Sequence, residues 1–468
     1  MLKSARVAHR RDASHSMARI WVVLVTFAAF GPYVIGHVDT GQLVASASAL
    51  FILVAGGPRL LASRHARPGI LVVPWVWLYI VMLIATIWTP YLDGYTQFPL
   101  LNELGSYALP LEIILVVWYW TLILPTSEIL GLIARTVVIA MTCNALISLY
   151  QLVSNSVTIL SFVQKYWSIP DASTSASGTV GALASENGRY VGIFYQPAIA
   201  GVAYGVALFC VIFLVQTRPG RRQAWLMLCA CALCIGGIVS VSKIFLLGAL
   251  PLALVLIVQD RSRKRLLGAL AAFTGVLIIL RINGVLPAWS NGSFMLQHLL
   301  KPTGSLVATY TAGRFGSSAT STVLNESWLR LSPWDGFGAG GIATQYDSMW
   351  TETLAVAGLL GAALLAIEFI AMLARWLGSR VAWPKPQWRL TGATLALAII
   401  GSFGVPTLTG QRISTLLWLI LGFLIVPGTL GALDYHPEHH DARLTGLEWG
   451  APARAGNHGP SGSQSGGY

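Results

Sequence analysis

The run VGIFYQPAIAGVAYGVALFCVIFLV, residues 191–215, decides how this chain folds. It holds no charged side chain. About 20 apolar residues in a helix cross the ~30 Å hydrocarbon core of a bilayer, so this run is long enough to span one. Arg189 stands just before it, and Arg218, Arg221 and Arg222 stand just after. Cations at both ends of an apolar run mark where a helix leaves the lipid.

Working outward, similar runs recur along the chain. They predict spans near 19–36, 41–56, 69–88, 106–124, 129–153, 191–215, 224–240, 244–259, 266–283, 349–373, 390–406 and 412–431. The composition agrees. Of 468 residues, 55% are hydrophobic and only 10% charged, whereas soluble domains carry roughly a quarter charged residues. The fold class expected is an all-α polytopic membrane protein with about twelve transmembrane helices. It divides into helices 1–5 (1–153), an outer loop (154–190), helices 6–9 (191–283), a long outer loop (284–348), helices 10–12 (349–431) and a disordered cytoplasmic tail (432–468). The start, with Lys3, Arg6, Arg10 and Arg11 before a long apolar run, reads as a retained signal anchor rather than a cleaved signal peptide.

Charge gives the orientation. With the N-terminus inside, 21 of the 30 basic residues fall on the inner side and eight on the outer, with Arg135 inside a span. That is the positive-inside pattern for an even number of spans, with both long loops outside. The formal net charge of +12 is then explained by an anionic inner leaflet, and no nucleic acid is needed as a partner.

Cys143, Cys210, Cys229, Cys231 and Cys234 all fall inside spans and read as small apolar packing groups. Cys231 and Cys234 have redox-motif spacing, but no further Cys or His accompanies them. His436, His439 and His440 precede a tail rich in Gly, Ser and Pro and do not match a metalloprotease motif. No metal and no cofactor is expected, and no internal repeat is present.

The outer loops carry the chemistry-bearing residues, as long loops between packed elements commonly do. The first opens with an aromatic stretch, Thr158–Trp167, that suits a short interfacial helix, and closes on Glu186-Asn187-Gly188-Arg189. In the second, Phe315, Ala319, Val323, Leu324, Trp328 and Leu331 recur at helical spacing, predicting an amphipathic helix over about 313–330. Pro333 ends it. Gly336-Phe337-Gly338-Ala339-Gly340-Gly341 reads as a flexible turn, and Asp347 and Ser348 open the tenth span.

A boundary Arg either anchors its helix in the headgroups or makes charge-assisted bonds to a phosphate. Arg189, Lys243 and Arg314 lie among Gly, Ser and other polar residues on the cation-poor outer side, which favours phosphate. Lys165, Arg281, Lys301, Arg330 and Arg412 read as anchors or as supports behind the site. Asp347 is either the N-cap of its helix or a general base that takes a proton from an attacking hydroxyl. A diphosphate leaving group needs charge stabilisation rather than protonation, so one carboxylate is enough. Secondary candidates are Glu186, Ser242, Gln196, Glu352 and Arg412. Glu352 lies about one turn deeper than Asp347, where an ionisable group has to face protein or water.

Asp347-Ser348 followed after nine residues by Gly358-Leu359-Leu360-Gly361 resembles the signature of the O-antigen ligase and polymerase superfamily. Gly313-Arg314, Trp328 and Gly336-Phe337-Gly338 resemble the segment before that signature. Arg189-Tyr190-Val191-Gly192-Ile193-Phe194 with Pro197 resembles the family's entry into a span, and Ser242-Lys243 its basic pair at an outer helix end. The matches keep their order over about 185–365. The resemblance implies a metal-independent, inverting glycosyltransferase of the GT-C type in the bacterial inner membrane, with its site facing the periplasm. The donor implied is an undecaprenyl-diphosphate-linked saccharide, with Arg189, Lys243 and Arg314 on the diphosphate. The ligases carry His where this chain has Asp347, so the chain looks more like the polymerases that build O-antigen, capsule or exopolysaccharide. The acceptor would be a lipid-linked repeat unit, and a chain-length regulator is a conceivable further partner. The alternatives are a ligase moving glycan to a lipid A core sugar or a protein, and a transporter or flippase of lipid-linked sugar.

Overall fold

A computed structural model describes residues 2–35, 38–57, 69–88, 100–154, 163, 165–167, 188–217, 223–259, 268, 330–339 and 348–426. The described part is mostly helical. Helix α1 (Leu2–Ala28) leads into a hairpin of β1 (Tyr33–Ile35) and β2 (Val38–Asp39), then α2 (Thr40–Phe51), which a π-helical turn extends to Gly56. There follow α3 (Val73–Trp88), α4 (Leu100–Thr121), α5 (Thr126–Ser154), α6 (Pro197–Thr217) and α7 (Gln223–Val239). A π-helical segment, Ile244–Ala249, runs into α8 (Leu250–Val258). The described part closes with α9 (Met349–Gly378), α10 (Lys385–Ser402) and α11 (Gln411–Ile425).

Five helical stretches are long and apolar enough to cross a bilayer: Ile70–Trp88, Glu103–Thr121, Thr126–Val153, Pro197–Thr217 and Met349–Gly378. Shorter apolar helices lie at Ser14–Ala28, Thr40–Gly56, Gln223–Val239, Ile244–Val258 and Arg412–Ile425. The expected ninth span, the amphipathic helix at 313–330 and the tail lie outside the described residues.

Several expected boundaries move: α4 starts at Leu100, α9 runs on to Gly378 and α11 ends at Ile425. The first span does not run to residue 36. Its helix stops at Ala28, Gly31 and Pro32 follow, and the chain turns into a short antiparallel pair, Tyr33 opposite Asp39. Proline pushes the residue before it out of helical geometry. That hairpin is a small departure from an all-α fold. The sixth helix begins at Pro197 rather than 191, since proline suits the first turn of a helix but not its interior. The eleventh helix starts five residues early, at Lys385, and ends at Ser402.

Helix α6 is the axis of the bundle. It packs on α5, α7, α10, α11 and the segment Ile244–Val258, and 94% of its most apolar window is buried. Gly201 and Gly205 let Ser242 and Ala249 lie directly on its backbone, the close approach that small residues permit between membrane helices. Outside this axis, α3 pairs with α9, α4 with α2 and α11, and α1 with α5.

Candidate functional site at one end of the bundle

The segment before α6 shows why its sequence pattern takes the form it does. Gly192 sits at φ +69, and Asn144 of α5 occupies the place a Cβ would fill. The Asn144 carboxamide accepts from Ile193 N (2.8 Å) and donates to Tyr204 Oη (2.9 Å) and to Val191 O (3.4 Å). Phe194 is fully buried. Tyr190 N donates to Val239 O at the end of α7 (3.2 Å). Arg189 is thereby held, half-buried, against the α7 terminus. Its Nε has no hydrogen-bond partner among the described residues. Burial lowers its pKa, but a guanidinium stays charged. Gln196 contributes its carbonyl, which accepts from Ala200 N (3.1 Å) at the start of α6.

Lys243 lies in the turn that leaves the same end of α7. Val241, two residues before it, has φ +47, an outlier for a β-branched residue and a form of strain that collects at functional sites. Ser242 is buried against Gly201, and its hydroxyl accepts from Phe245 N (3.4 Å). Arg189, Ser242, Lys243 and Gln196 therefore share one end of the bundle. Arg314, Glu186 and Asp347 lie outside the described residues.

Helix α9 begins at this end too. Ser348 is its N-cap: the hydroxyl accepts from Trp350 N (3.3 Å) and donates to Ser402 O of α10 (3.1 Å). Trp350 Nε1 donates to Ser402 Oγ (3.0 Å). The capping role weighed for Asp347 thus belongs to its neighbour. Glu352, in the first turn, is 6% exposed and lies beside Glu103, Thr409 and Tyr107. It faces protein, as an ionisable group at that depth has to.

Arg412 does not anchor its helix in headgroups; it is 2% exposed. Its Nη1 donates to Ile193 O (3.0 Å) and Nη2 to Trp167 O (3.4 Å), while the guanidinium lies 4.6 Å from the Tyr33 ring centroid. Tyr195 and Asp39 complete this knot. Burial pushes the Tyr195 hydroxyl up to about 12. It also raises Asp39, with Arg412 opposing the shift. Lys165 is exposed and lies over the Tyr166 ring (5.3 Å), and Arg330 is exposed. Hydropathy cannot separate Arg412 from these two, because each is one cation beside an apolar run.

The described part of the Gly336 turn, through Ala339, is held by hydrogen bonds, and Gly340 and Gly341 lie outside the described residues. Helix α9 breaks at Gly358 (φ 61), and the turn fills the break. Leu359 N and Leu360 N donate to Pro333 O (2.9 Å) and Trp334 O (3.0 Å). Ala355 O and Val356 O accept from Phe337 N (2.8 Å) and Gly338 N (2.9 Å). Trp88 Nε1 donates to Asp335 Oδ2 (2.7 Å) and Thr86 Oγ1 accepts from Ala339 N (2.7 Å), locking the turn to the end of α3. Two motifs about twenty residues apart in sequence are the two halves of one interlock.

No protein-family model matches this chain, and no curated protein matches it either.

Proposed function

We propose that the chain is a twelve-span enzyme of the bacterial inner membrane, a polysaccharide polymerase acting at the periplasmic face. The observation that carries this reading is the gathering of Arg189 and Lys243 at one end of the bundle, the end at which α9 starts one residue after Ser348. Asp347 directly precedes that cap in sequence. Under the positive-inside orientation this end faces outward.

In the proposed reaction an acceptor sugar hydroxyl attacks the anomeric carbon of a glycan carried on undecaprenyl diphosphate. The new C–O bond forms as the bond to the diphosphate oxygen breaks, and the electron pair leaves with the diphosphate. Arg189, Lys243 and Arg314 stabilise that charge as it develops. Asp347 takes the hydroxyl proton. One displacement inverts the anomeric centre. The test is purified protein with lipid-linked repeat units: a ladder of longer glycans on the same lipid supports the reading. Unchanged repeat units, or glycan moved to a different carrier, would defeat it.

The break in α9 is the one observation that favours a transporter, since broken helices build many transport sites. In those sites the freed backbone groups hold the cargo. Here Ala355 O, Val356 O, Leu359 N and Leu360 N are all taken by the turn at 333–338, which supports the enzyme reading instead. Movement of lipid-linked sugar across proteoliposomes without bond formation would reverse that preference.

A further inference from the structure

We infer that Arg412 is the positioning residue of this outer site, acting through Arg189; the inference rests on the reading above. The guanidinium grips two carbonyls, Trp167 O and Ile193 O. Trp167 closes the aromatic stretch of the first outer loop, and Ile193 follows just after that loop returns to the bundle. Trp167 is itself tied down, its Nε1 donating to Phe30 O (2.9 Å) beside the hairpin. Arg412 thus joins the α11 start, the hairpin, the aromatic segment and the Arg189 turn at one point.

Among the described residues no carboxylate lies within ion-pair distance of Arg412. Its charge is compensated by carbonyl dipoles, the Tyr33 face and the more distant Asp39. A buried guanidinium is costly unless its protons are used. Here the Nη1 and Nη2 protons bridge Ile193 O and Trp167 O, while Nε has no hydrogen-bond partner among the described residues; a planar fork suits such bridging and an ammonium does not. Asn144 and Val239 fix the other side of the Arg189 turn, so Arg412 supplies the contact that ties this turn to the rest of the loop. Its own side chain is buried beneath the turn and is not offered to substrate.

The experiment is a double-mutant cycle on the full chain in detergent, with undecaprenyl diphosphate as the binding probe. Arg412→Gln and Arg189→Ala should each weaken the Kd about tenfold or more, the scale of a lost charge-assisted bond. If Arg412 acts through Arg189, the double variant binds no worse than Arg189→Ala alone, because coupled residues are not additive. Independent, additive losses, or an unchanged Kd for Arg412→Gln, overturn the inference. Amide exchange supplies a readout free of the substrate reading. Faster exchange over 188–196 in Arg412→Gln supports the clamp, and unchanged exchange there overturns it. Arg412→Lys, which keeps the charge, serves if the Gln variant does not fold and should show the same exchange change. If the wild-type chain does not bind the probe at all, the polymerase reading fails, and the exchange result alone decides the clamp.

Discussion

Gly336 lies against Gly358 so closely that a Cβ on Gly336 would stand 2.6 Å from the Gly358 amide nitrogen. Both residues are at positive φ. Replacing either by Ala adds backbone strain of roughly 1–3 kcal/mol and forces the turn out of the helix break. Gly358→Ala and Gly336→Ala should therefore lower the melting temperature in detergent, whereas Gly378→Ala, with open space around it, should not. Equal melting of all three would show that the interlock contributes nothing to stability.

The capping assignment separates Ser348 from Asp347. Ser348→Ala removes the cap and should cost about 1 kcal/mol of stability while leaving turnover largely intact. Asp347→Asn should do the reverse. An amide cannot take the hydroxyl proton, so turnover should fall by a factor on the order of 10²–10⁴ with little change in melting. Asp347→His, which restores a proton-accepting group, should retain part of the activity. A wild-type rate for Asp347→Asn would remove it from the chemistry, and Glu186 would be the next base to test.

Asn144 holds three partners in a place where water is scarce. Asn144→Leu leaves Ile193 N unmet, at about 1–3 kcal/mol for an unmet buried group, while the Tyr204 hydroxyl keeps Ser148 Oγ (3.1 Å). Loss of folded protein, or a lower melting point with weakened diphosphate binding, is the expected outcome. Asn144→Asp keeps an acceptor for Ile193 N and should be the milder change. The measurement is thermal stability beside lipid-diphosphate affinity.

The three cations proposed to bind the diphosphate should tolerate little change. Arg189→Lys should keep only part of the activity, since an ammonium cannot bond two phosphate oxygens in the forked geometry of a guanidinium. Arg189→Ala, Lys243→Ala and Arg314→Ala should abolish polymer at normal protein levels. Arg330→Ala, at an exposed position, should be mild. Full activity of Arg189→Ala would sink the diphosphate role.

Orientation is tested directly by reporter fusions. Fusions at Ser177 and Ser290 should read periplasmic and one at Arg221 cytoplasmic, because that arrangement keeps the basic loops inside. A cytoplasmic signal from either long loop would place the proposed site on the wrong face.

Residue type and position marked Arg189 and Lys243 as outer-side cations, and the structure brings both to one end of the bundle. Gly192 and Gly358 stood out only through the motifs of the resemblance. Asn144 did not, since a lone amide within an apolar helix has no periodic signature. Whether Arg412 anchors its helix or supports the site is not legible in the sequence, because burial is decided by what other helices place around a residue. Asp347 and Ser348 are both good capping residues, and only backbone geometry distinguishes adjacent positions, so the sequence does not assign the cap to Ser348.

The amino-acid sequence by itself determined that this chain is built of apolar helices suited to a membrane, because hydropathy reports the cost of leaving water. It could not say which helix lies at the centre. Pro197–Thr217 and Ile70–Trp88 have nearly the same mean hydropathy, 2.6 and 2.5, yet 94% of the first is buried and 22% of the second. Lipid tails and a protein interior are equally apolar, so a span gains little by exchanging one for the other. The choice was made by tertiary structure, through the glycines that admit Ser242 and Ala249 onto α6 and the polar groups that have to find partners away from water. The Arg412 knot and the interlock at Gly358 are two results of that search.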